Sequence, residues 1–590
     1  MANRNIVWSH VFADELARSG VRHAIIAPGS RSTPLAFAFY EVEDIRAHSL
    51  LDERSAAFFA LGLARTTQTP VVLLCTSGSA AANFFPAIVE AHETRVPLIV
   101  ITADRPHELR HSGANQTIDQ IKLYGNYALW SVDMPLPEAQ APTLAIRAWR
   151  SVANRAVAIA SGLRKGVVHL NMPFRKPLEP LPVGDDLTLA DDARDLFQRS
   201  MGLPHTQIGH GIAALSDVQA DMLAAAVDAN PLGLIVLGAN CPTDIADAVN
   251  QLSAQTGYPV LADAASGLRW MSDKFLGGYD SFLSRRPAAW QRPQIVIRFG
   301  DVPTSQALND YLNSPEIKYL IQISESGVWA DDSHRLTHLI QVNERFAILQ
   351  LLKRIHGRQP GTWMSQWAAA EEVVWATLRD AQETPFDGLF VAEAVRLLPD
   401  HSTLFVGNSL PVRHLEQFGQ PRKAYIHAFA SRGASGIDGN ISTAFGLGFG
   451  RPEHPLCAIV GDVTFYHDMN GLLAARRLNI PITLVVLNNN GGGIFYRLPV
   501  AQFDPVFTDL FVTPHHLDFQ HSAALYGFDY LRTADLAAFR QAFQDSVSQR
   551  KTTLIEVPTD AQADLAARRA YLDKLNVPLL AHDATAHPQS

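Results

Sequence analysis

Two oxygen-bearing side chains, Asp462 and Asn489, each follow an apolar stretch that is typical of a buried strand. The first stretch, residues 456–460, ends at a Gly-Asp turn, and the second, residues 482–487, ends at an Asn-Asn-Asn-Gly-Gly-Gly run. A helical pattern from about residue 467 to 478 separates them. Because the carboxyl ends of parallel strands meet at one edge of a sheet, we expect the two side chains to lie together there.

Carboxylate and amide oxygens are hard ligands that suit Mg²⁺, which shares its remaining positions with waters and substrate phosphates. The glycines after Asn490 allow backbone groups to approach a ligand closely. A lone Gly-Asp pair is more simply interpreted as a turn between a strand and a helix. The whole pattern, from Gly461 to the Asn488-Asn489 pair, is more specific and favours a magnesium site.

The composition limits the class of protein. A chain of 590 residues with 47% hydrophobic and 18% charged residues is typical of a globular protein with about three domains. A net charge of −9 argues against a general nucleic-acid or anionic-membrane binder, so anionic ligands need local arginines. The scattered Cys75, Cys241 and Cys457 predict buried thiols in a reducing compartment. Neither a secretory signal nor a membrane-spanning run is recognisable, which favours the cytoplasm.

Strand and helix patterns alternate along the chain, which predicts an α/β protein with three doubly wound parallel-sheet domains. We place these domains at residues 1–180, 200–355 and 375–575. Polar residues follow the strands of the first domain, including Ser30-Arg31 and Asp104-Arg105. The middle domain carries no phosphate-loop pattern, which favours a structural role for it.

The pattern around Asp462 resembles the diphosphate-binding motif of thiamine diphosphate enzymes, with Val463 replacing the third glycine of that motif. The resemblance implies that Asp462, Asn489 and the carbonyl of Gly491 hold Mg²⁺ or Mn²⁺ against the cofactor's diphosphate. It also implies that Ser409 and Ile437 contact the cofactor, with Ile437 supporting its bent shape. Ordinary core packing is the alternative for Ile437.

Glu53 stands where a strand gives way to an apolar helix at residues 56–64. Its simpler role is to stabilise the N-terminus of that helix. In thiamine diphosphate enzymes, a glutamate at this place bonds the aminopyrimidine nitrogen and promotes removal of the thiazolium C2 proton. The resemblance therefore implies that Glu53 is catalytic, and apolar surroundings would favour the shared proton that this role needs.

Several motifs resemble one branch of that superfamily, a synthase family of menaquinone biosynthesis. They are Ala-Pro-Gly-Ser-Arg-Ser at 27–32, Asp-Arg-Pro at 104–106, Gly-Ala-Asn-Gln-Thr-Ile-Asp-Gln at 113–120, Gly-Asn-Ser at 407–409 and the run 431–439. The resemblance implies decarboxylation of 2-oxoglutarate and addition of the succinyl carbanion equivalent to isochorismate. It implies substrate contacts by Ser30, Arg31, Arg105, Asn115, Gln116, Ser409, Arg413, Arg432, Ile494, Phe495 and Leu498.

Other interpretations remain open at this point. The arginines could be ordinary surface ion-pair residues, although four within matching motifs argue against that. A sister enzyme, such as an acetohydroxyacid synthase or another 2-oxo-acid decarboxylase, acts on smaller and less charged acceptors. An inactive regulatory subunit is disfavoured by the presence of Glu53, Asp462 and Asn489.

The middle domain departs from the synthase pattern. Gln306 and Ala307 stand where that family tends to have basic residues, and Arg285, Arg286 or Arg298 could substitute for them. The resemblance implies a homodimer or homotetramer with sites between subunits. The sequence leaves open the metal used, the arginine that serves each substrate, regulation, and whether menaquinone or phylloquinone is the end product.

Overall fold

The computed structural model describes residues 3–184, 202–285, 290–359, 361–381 and 385–575. These form two compact units. The first unit comprises residues 1–211, 433–453 and 467–480, and the second comprises 212–432, 454–466 and 481–590. Arg286 lies outside the described residues, so its predicted role is not addressed by the structure. Within the described part of the chain, no helix is both long and apolar enough to cross a membrane.

The first unit is built on a six-stranded parallel sheet with the order β2-β1-β3-β4-β6-β5. Its central strands β3 and β4 are buried along their whole length, because helices cover both faces of a parallel sheet. The strands are β1 His23–Ile26, β2 Arg46–Ser49, β3 Val71–Cys75, β4 Leu98–Asp104, β5 Trp130–Asp133 and β6 Val167–Pro173. The helices are α1 Arg4–Arg18, α2 Thr33–Glu41, α3 Glu53–Thr67, α4 Ser79–Asn83, α5 Phe85–Glu93 and α6 Thr143–Ala160.

The second unit contains two further parallel sheets. The first of these has five strands in the order β11-β10-β9-β7-β8. The strands are β7 Gly233–Leu237, β8 Val260–Ala262, β9 Ile295–Phe299, β10 Tyr319–Ile323 and β11 His338–Ile340. The helices of this region are α7 Asp217–Ala229, α8 Ala246–Thr256, α9 Tyr279–Arg285, α10 Gln306–Leu312, α11 Glu344–Leu352 and α12 Thr362–Asp380.

The last sheet has the order β13-β12-β14-β15-β17-β16. Counted from its own first strand, this order repeats that of the first sheet, so the two outer sheets share one topology. The strands are β12 Thr403–Val406, β13 His427–Phe429, β14 Leu456–Gly461, β15 Thr483–Asn488, β16 Asp529–Arg532 and β17 Thr553–Pro558. The remaining helices are α13 Asp387–Leu397, α14 Leu410–Phe418, α15 Asn440–Phe449, α16 Asp462–His467, α17 Leu473–Leu478, α18 Gln520–Tyr526, α19 Leu536–Gln549 and α20 Ala561–Lys574.

The three parallel sheets confirm the predicted fold class. The free, buried state of all three cysteines is also as predicted. One local prediction is wrong: the helical segment expected from about residue 467 begins at Asp462 as α16 and is interrupted by the 3-10 turn Met469–Leu472 before α17. Val463 stands directly after Asp462, where the motif has its third glycine, and it continues the helix that begins at Asp462.

Candidate active site

Asp462 lies directly after β14 and is the first residue of α16. Strand β14 pairs in parallel with β15, with Gly461 opposite Leu487, so the loops that follow both strands leave the same edge of the sheet. The backbone N–H of Gly491 donates a hydrogen bond of 2.8 Å to Oδ2 of Asp462. The other oxygen, Oδ1, accepts a 2.8 Å bond from the N–H of Val463. The structure therefore brings Asp462 and the Gly491 turn into contact.

Asn489 supplies the observation that tests this region as a metal site. Its Oδ1 is buried and accepts no hydrogen bond from the described residues. A buried amide oxygen without a partner costs about 1–3 kcal/mol, and a coordinated cation would remove that cost. Together with the Asp462 carboxylate and the Gly491 carbonyl, it offers the hard oxygen ligands that Mg²⁺ or Mn²⁺ prefers. The residues present therefore fit the metal that the sequence predicts.

Two glycines are required by close packing around these ligands. Gly491 has φ of 138°, and a Cβ atom there would lie 2.1 Å from the carbonyl oxygen of Val512. A Cβ atom at Gly493 would lie 2.5 Å from Nδ2 of Asn489. A side chain at either position would displace the ligand loop, which explains the glycine run after the asparagines.

His515 is a site residue that the sequence analysis missed. Its Nε2 lies 3.3 Å from Oδ2 of Asp462, and its side chain is largely buried. A histidine in the irregular segment after β15 carries no spacing signal relative to Asp462, so only the folded loop shows the pairing. This contact places a second polar group behind the predicted metal ligand, where it can orient the carboxylate.

Glu53 is the first residue of α3 in the first unit. The side chain of Asp52, not that of Glu53, caps this helix by accepting a hydrogen bond from the N–H of Ser55. Glu53 is therefore not the N-cap residue, although as an acidic residue in the first turn it stabilises the helix N-terminus electrostatically. Its catalytic role stays a prediction.

Helix α3, which begins at Glu53, packs closely against another helix at its middle. Its closest helical neighbour is α15, and both helices use glycine at the crossing. A Cβ atom at Gly62 would lie 2.1 Å from the carbonyl oxygen of Thr443, and one at Gly446 would lie 2.0 Å from that of Phe59. Backbones this close leave α3 little freedom to shift, which fixes the position of Glu53.

Arg31 and Arg105 form the first pair of candidate substrate cations. Arg31 is buried, and its Nη1 donates a 2.8 Å hydrogen bond to the carbonyl oxygen of Phe174. Burial, followed by repulsion from the nearby Arg105, lowers the pKa of Arg31. Arg105 donates to the hydroxyl of Ser77. Neither guanidinium forms an ion pair with a carboxylate of the described residues, so both remain available to an anion.

Gln116 joins this group through the same serine. Its Nε2 donates a 2.9 Å hydrogen bond to the carbonyl oxygen of Ser77, whose hydroxyl donates back to the carbonyl of Gln116 at 3.1 Å. Ser30 and Asn115 are both exposed. The structure thus brings Arg31, Arg105 and Gln116 together. The predicted substrate contacts of Ser30 and Asn115 stay predictions.

Arg413 and Arg432 form the second pair, in the second unit. Nη1 of Arg413 donates a 2.7 Å hydrogen bond to the carbonyl of Ser409, and Nη1 of Arg432 donates a 3.1 Å bond to Oδ1 of Asn408. Burial, followed by the charge of Arg432, lowers the pKa of Arg413. Ser409 has φ of 72°, a conformation that non-glycine residues adopt mainly where the surrounding structure requires it. As in the first pair, no carboxylate of the described residues forms an ion pair with either arginine.

The segment that carries Ile437 belongs to the first unit and is fastened by Glu90. The Glu90 carboxylate accepts hydrogen bonds from the N–H groups of Gly433 at 2.9 Å and Ala434 at 2.7 Å. Burial raises the pKa of Glu90, and the backbone donors oppose that rise. Ile437 itself is half-exposed rather than part of a core cluster. The core-packing alternative is therefore not supported for Ile437, and its contact with the cofactor stays a prediction.

Ile494 and Phe495 lie in the 3-10 turn Gly493–Arg497 that follows the predicted metal ligands. Phe495 packs edge-on against Phe511 with ring centroids 5.6 Å apart. Leu498, which follows the turn, is 49% exposed. An apolar surface that is not fully covered is consistent with the substrate contacts predicted for these three residues, which remain predictions.

The middle region offers few free cations. Gln306 bonds Asp310 within α10 at 2.8 Å, and Ala307 follows it. Arg285 pairs with Asp573 at 2.8 Å, and Arg298 is buried and donates to the carbonyl of Ala330. Both described candidates for a substituting cation are therefore engaged within the protein.

Comparison with known proteins places these observations in a class. Residues 7–123 match the family described as thiamine pyrophosphate enzyme, N-terminal TPP binding domain. Residues 218–406 match the family described as the middle domain of thiamine pyrophosphate. Residues 407–557 match the family described as thiamine pyrophosphate enzyme, C-terminal TPP binding domain. The solved structure of benzoylformate decarboxylase from Polynucleobacter necessarius superposes with a TM-score of 0.70 over 95% of this chain and 99% of that one, at 18% identity. The chain is thus a member of the thiamine diphosphate-dependent enzymes.

Closer relatives define the branch. The chain is 53% identical over 97% of its length to the 2-succinyl-5-enolpyruvyl-6-hydroxy-3-cyclohexene-1-carboxylate synthase of Roseiflexus sp. (strain RS-1), covering 98% of that protein. It is 54% identical over 97% of its length to the synthase of Roseiflexus castenholzii, covering 99% of it. The chain belongs to this synthase family, which favours the synthase over the acetohydroxyacid synthase alternative.

Proposed function

We propose that the protein decarboxylates 2-oxoglutarate with thiamine diphosphate and Mg²⁺ or Mn²⁺ and adds the succinyl unit to isochorismate. The product is 2-succinyl-5-enolpyruvyl-6-hydroxy-3-cyclohexene-1-carboxylate, with release of CO₂, as a cytoplasmic step of menaquinone or phylloquinone biosynthesis. The observation that carries this proposal is the presence of two arginine pairs, Arg31 with Arg105 and Arg413 with Arg432, that are held by backbone and neutral oxygens.

Both proposed substrates carry two carboxylates, which is the charge pattern that two guanidinium pairs recognise. Arginine forks bind carboxylates through paired, charge-assisted hydrogen bonds. Burial is the main cause that lowers the pKa of Arg31 and of Arg413, and the charges of Arg105 and Arg432 lower it further, so two cations lie close together in each pair. A dicarboxylate relieves that repulsion more fully than a smaller, less charged acceptor does.

Asp462, Asn489 and the carbonyl of Gly491 would hold the metal, with His515 orienting the Asp462 carboxylate. Ser409 and Ile437 would contact the cofactor, and Glu53 would hold a proton at the aminopyrimidine nitrogen. The bound cofactor supplies the electron sink for decarboxylation. The residues Ile494, Phe495 and Leu498 would exclude water from the apolar side of the acceptor.

The proposed assembly is a homodimer or a homotetramer. Glu53 belongs to the first unit of the chain and Asp462 to the second. In the thiamine diphosphate enzymes that this chain resembles, one subunit contributes the glutamate of a site and the facing subunit contributes the metal ligands. We propose the same arrangement for this chain.

A direct assay tests the reaction. CO₂ release from 2-oxoglutarate is measured with and without thiamine diphosphate, Mg²⁺ and isochorismate, and the adduct is identified by mass spectrometry. We expect turnover only when cofactor and metal are present, and adduct only when isochorismate is added. Release of CO₂ from pyruvate with formation of acetolactate, and none from 2-oxoglutarate, would contradict the proposal.

A further inference from the structure

A second group of potential metal ligands lies in the second unit and shares no residue with the predicted cofactor site, although the charge of Asp462 contributes to the raised pKa of Asp387. It consists of Asp387, His414 and Asp564, all three of which are buried. One ligand atom from each lies within 4.8 Å of the other two. Nε2 of His414 is 3.8 Å from Oδ2 of Asp387 and 4.0 Å from Oδ2 of Asp564. These separations are too long for hydrogen bonds but leave room for an ion between the atoms.

The imidazole supplies an independent observation that points to a ligand. His414 is 1% exposed, and its Nε2 has no hydrogen-bond partner among the described residues, although it faces both carboxylates. Burial is the main cause that lowers the pKa of His414 well below its usual value, so the ring is neutral. A neutral imidazole with an open nitrogen is the form of histidine that binds metals.

The two carboxylates also lack a cation in contact. Asp564 accepts a 2.7 Å hydrogen bond through Oδ1 from the N–H of Asp387, which leaves the Oδ2 atoms facing His414. Burial raises the pKa of both carboxyl groups, and the charge of Asp564 raises the pKa of Asp387 further. Arg497 and Arg568 influence this cluster electrostatically, yet neither forms an ion pair within 4.0 Å of the two carboxylates in the described part of the chain. Buried carboxylates in proteins are normally paired or bound to a metal.

We propose that Asp387, His414 and Asp564 form a second divalent metal site, separate from the site that holds the cofactor's metal. One nitrogen and two carboxylate oxygens are a ligand set for Zn²⁺ or a similar first-row metal, with water in the fourth position. The nearby Arg497 and Arg568 charges oppose a cation, so the affinity is weaker than that of a thiolate zinc site.

The ligands connect three helices, because Asp387 begins α13, His414 lies in α14 and Asp564 lies in α20. His414 directly follows the candidate substrate residue Arg413, and α20 packs against the turn Gly493–Arg497. A metal here would brace α14, which carries Arg413, and α20, which packs against the turn that carries Ile494 and Phe495. We assign this metal no step of the reaction, because none of its ligands is placed in the catalytic machinery.

Zinc content measured on the full-length chain tests the proposal. The protein is saturated with thiamine diphosphate and Mg²⁺ so that the cofactor site is filled, exposed to Zn²⁺, desalted and analysed by inductively coupled plasma mass spectrometry. We expect one retained zinc per chain in the wild type and a loss of at least about tenfold in zinc affinity for His414→Gln and Asp387→Asn. Asp462→Ala, which disables the other site, should retain the zinc.

Anomalous diffraction at the zinc edge then locates the ion. A peak between the three side chains supports the proposal. Retention of equal zinc by wild type and His414→Gln would overturn it, and so would the absence of zinc from the wild type. The two carboxylates could instead share a proton without binding a metal. In that case Asp387→Asn will raise the unfolding temperature, whereas Zn²⁺ added to the wild type will not. This outcome would also contradict the proposal. Circular dichroism establishes that each variant is folded.

Discussion

The backbone N–H of Gly491 bonds Oδ2 of Asp462 at 2.8 Å, although the residues are 29 positions apart. This bond joins the ends of two neighbouring parallel strands and orients the carboxylate toward the loop that carries Asn489. The bond thereby holds Asp462 and Gly491, two of the predicted metal ligands, in a fixed arrangement. We expect such preorganisation to make the site sensitive to changes at Asp462 and tolerant of changes beside it.

Replacing Asp462 tests the metal assignment. Asp462→Ala should reduce Mg²⁺-dependent binding of thiamine diphosphate by more than about 100-fold, because even residues that only support a ligand contribute 10–100-fold. Isothermal titration calorimetry measures the affinity, and circular dichroism checks the fold. Val463→Gly is the control, since only the backbone N–H of Val463 contacts the carboxylate. Unchanged cofactor affinity in Asp462→Ala would show that the metal is held elsewhere.

Replacing His515 tests whether its contact with the Asp462 carboxylate strengthens metal binding. His515→Ala should weaken metal affinity by roughly tenfold, because Nε2 lies 3.3 Å from Oδ2 of Asp462. His516→Ala is a matched control: its ring lies near Asn490 and does not approach Asp462. Titration of Mg²⁺ at a fixed concentration of thiamine diphosphate gives both values. Equal affinities for the two variants would contradict a role for His515.

Sequence reasoning placed Asp462 and Asn489 at one edge of the sheet because the ends of parallel strands meet there, and their role as metal ligands stays a prediction. It could not find His515 or the partners of Glu90. His515 reaches Asp462 from an irregular segment, and Glu90 reaches the 433–434 backbone across the sequence, so neither pairing follows from a local period. The start of α16 is also misplaced, because a sequence pattern does not fix where a helix begins and Val463 gives no break after Asp462.

The arginine pairs are tested by their effect on turnover. Removing one partner of a charge-assisted carboxylate contact costs roughly 2–5 kcal/mol, or about 30-fold or more in kcat/KM. Arg105→Ala and Arg413→Ala should show losses of this size with little change in cofactor affinity. Arg285→Ala is a suitable control because this arginine pairs with Asp573 on an exposed surface. Near-normal kcat/KM for both substrates in both variants would contradict the proposed pocket.

Asp468 predicts a specific pH dependence of stability. Burial raises the pKa of this carboxyl from 3.8 to about 6, and it accepts hydrogen bonds from the backbone N–H and the hydroxyl of Ser442. The folded state therefore holds the proton more tightly than the unfolded state. The free energy of unfolding should fall as the pH rises from about 4 to about 6 and then level off, by at most about 3 kcal/mol.

Asp468→Asn isolates this contribution. The amide can accept the backbone bond through its oxygen and donate to the hydroxyl of Ser442, so the packing is preserved. The variant should lack the decrease between pH 4 and 6, and its unfolding temperature relative to wild type should rise across that interval. Asp509→Asn, at an exposed position, controls for general charge effects. Parallel pH profiles of wild type and Asp468→Asn would contradict the prediction.

Mixing two inactive variants tests the proposed sharing of the site between subunits. Glu53→Gln removes the proposed proton-holding group, and Asp462→Ala removes a proposed metal ligand, so each homodimer alone should be inactive. In a mixed dimer with shared sites, one site combines the intact Glu53 of one chain with the intact Asp462 of the other, and the second site carries both lesions. Because half of the dimers in an equal mixture are mixed, about a quarter of the wild-type activity should return after joint refolding. If each chain builds its own site, every site keeps one lesion and joint refolding restores no activity.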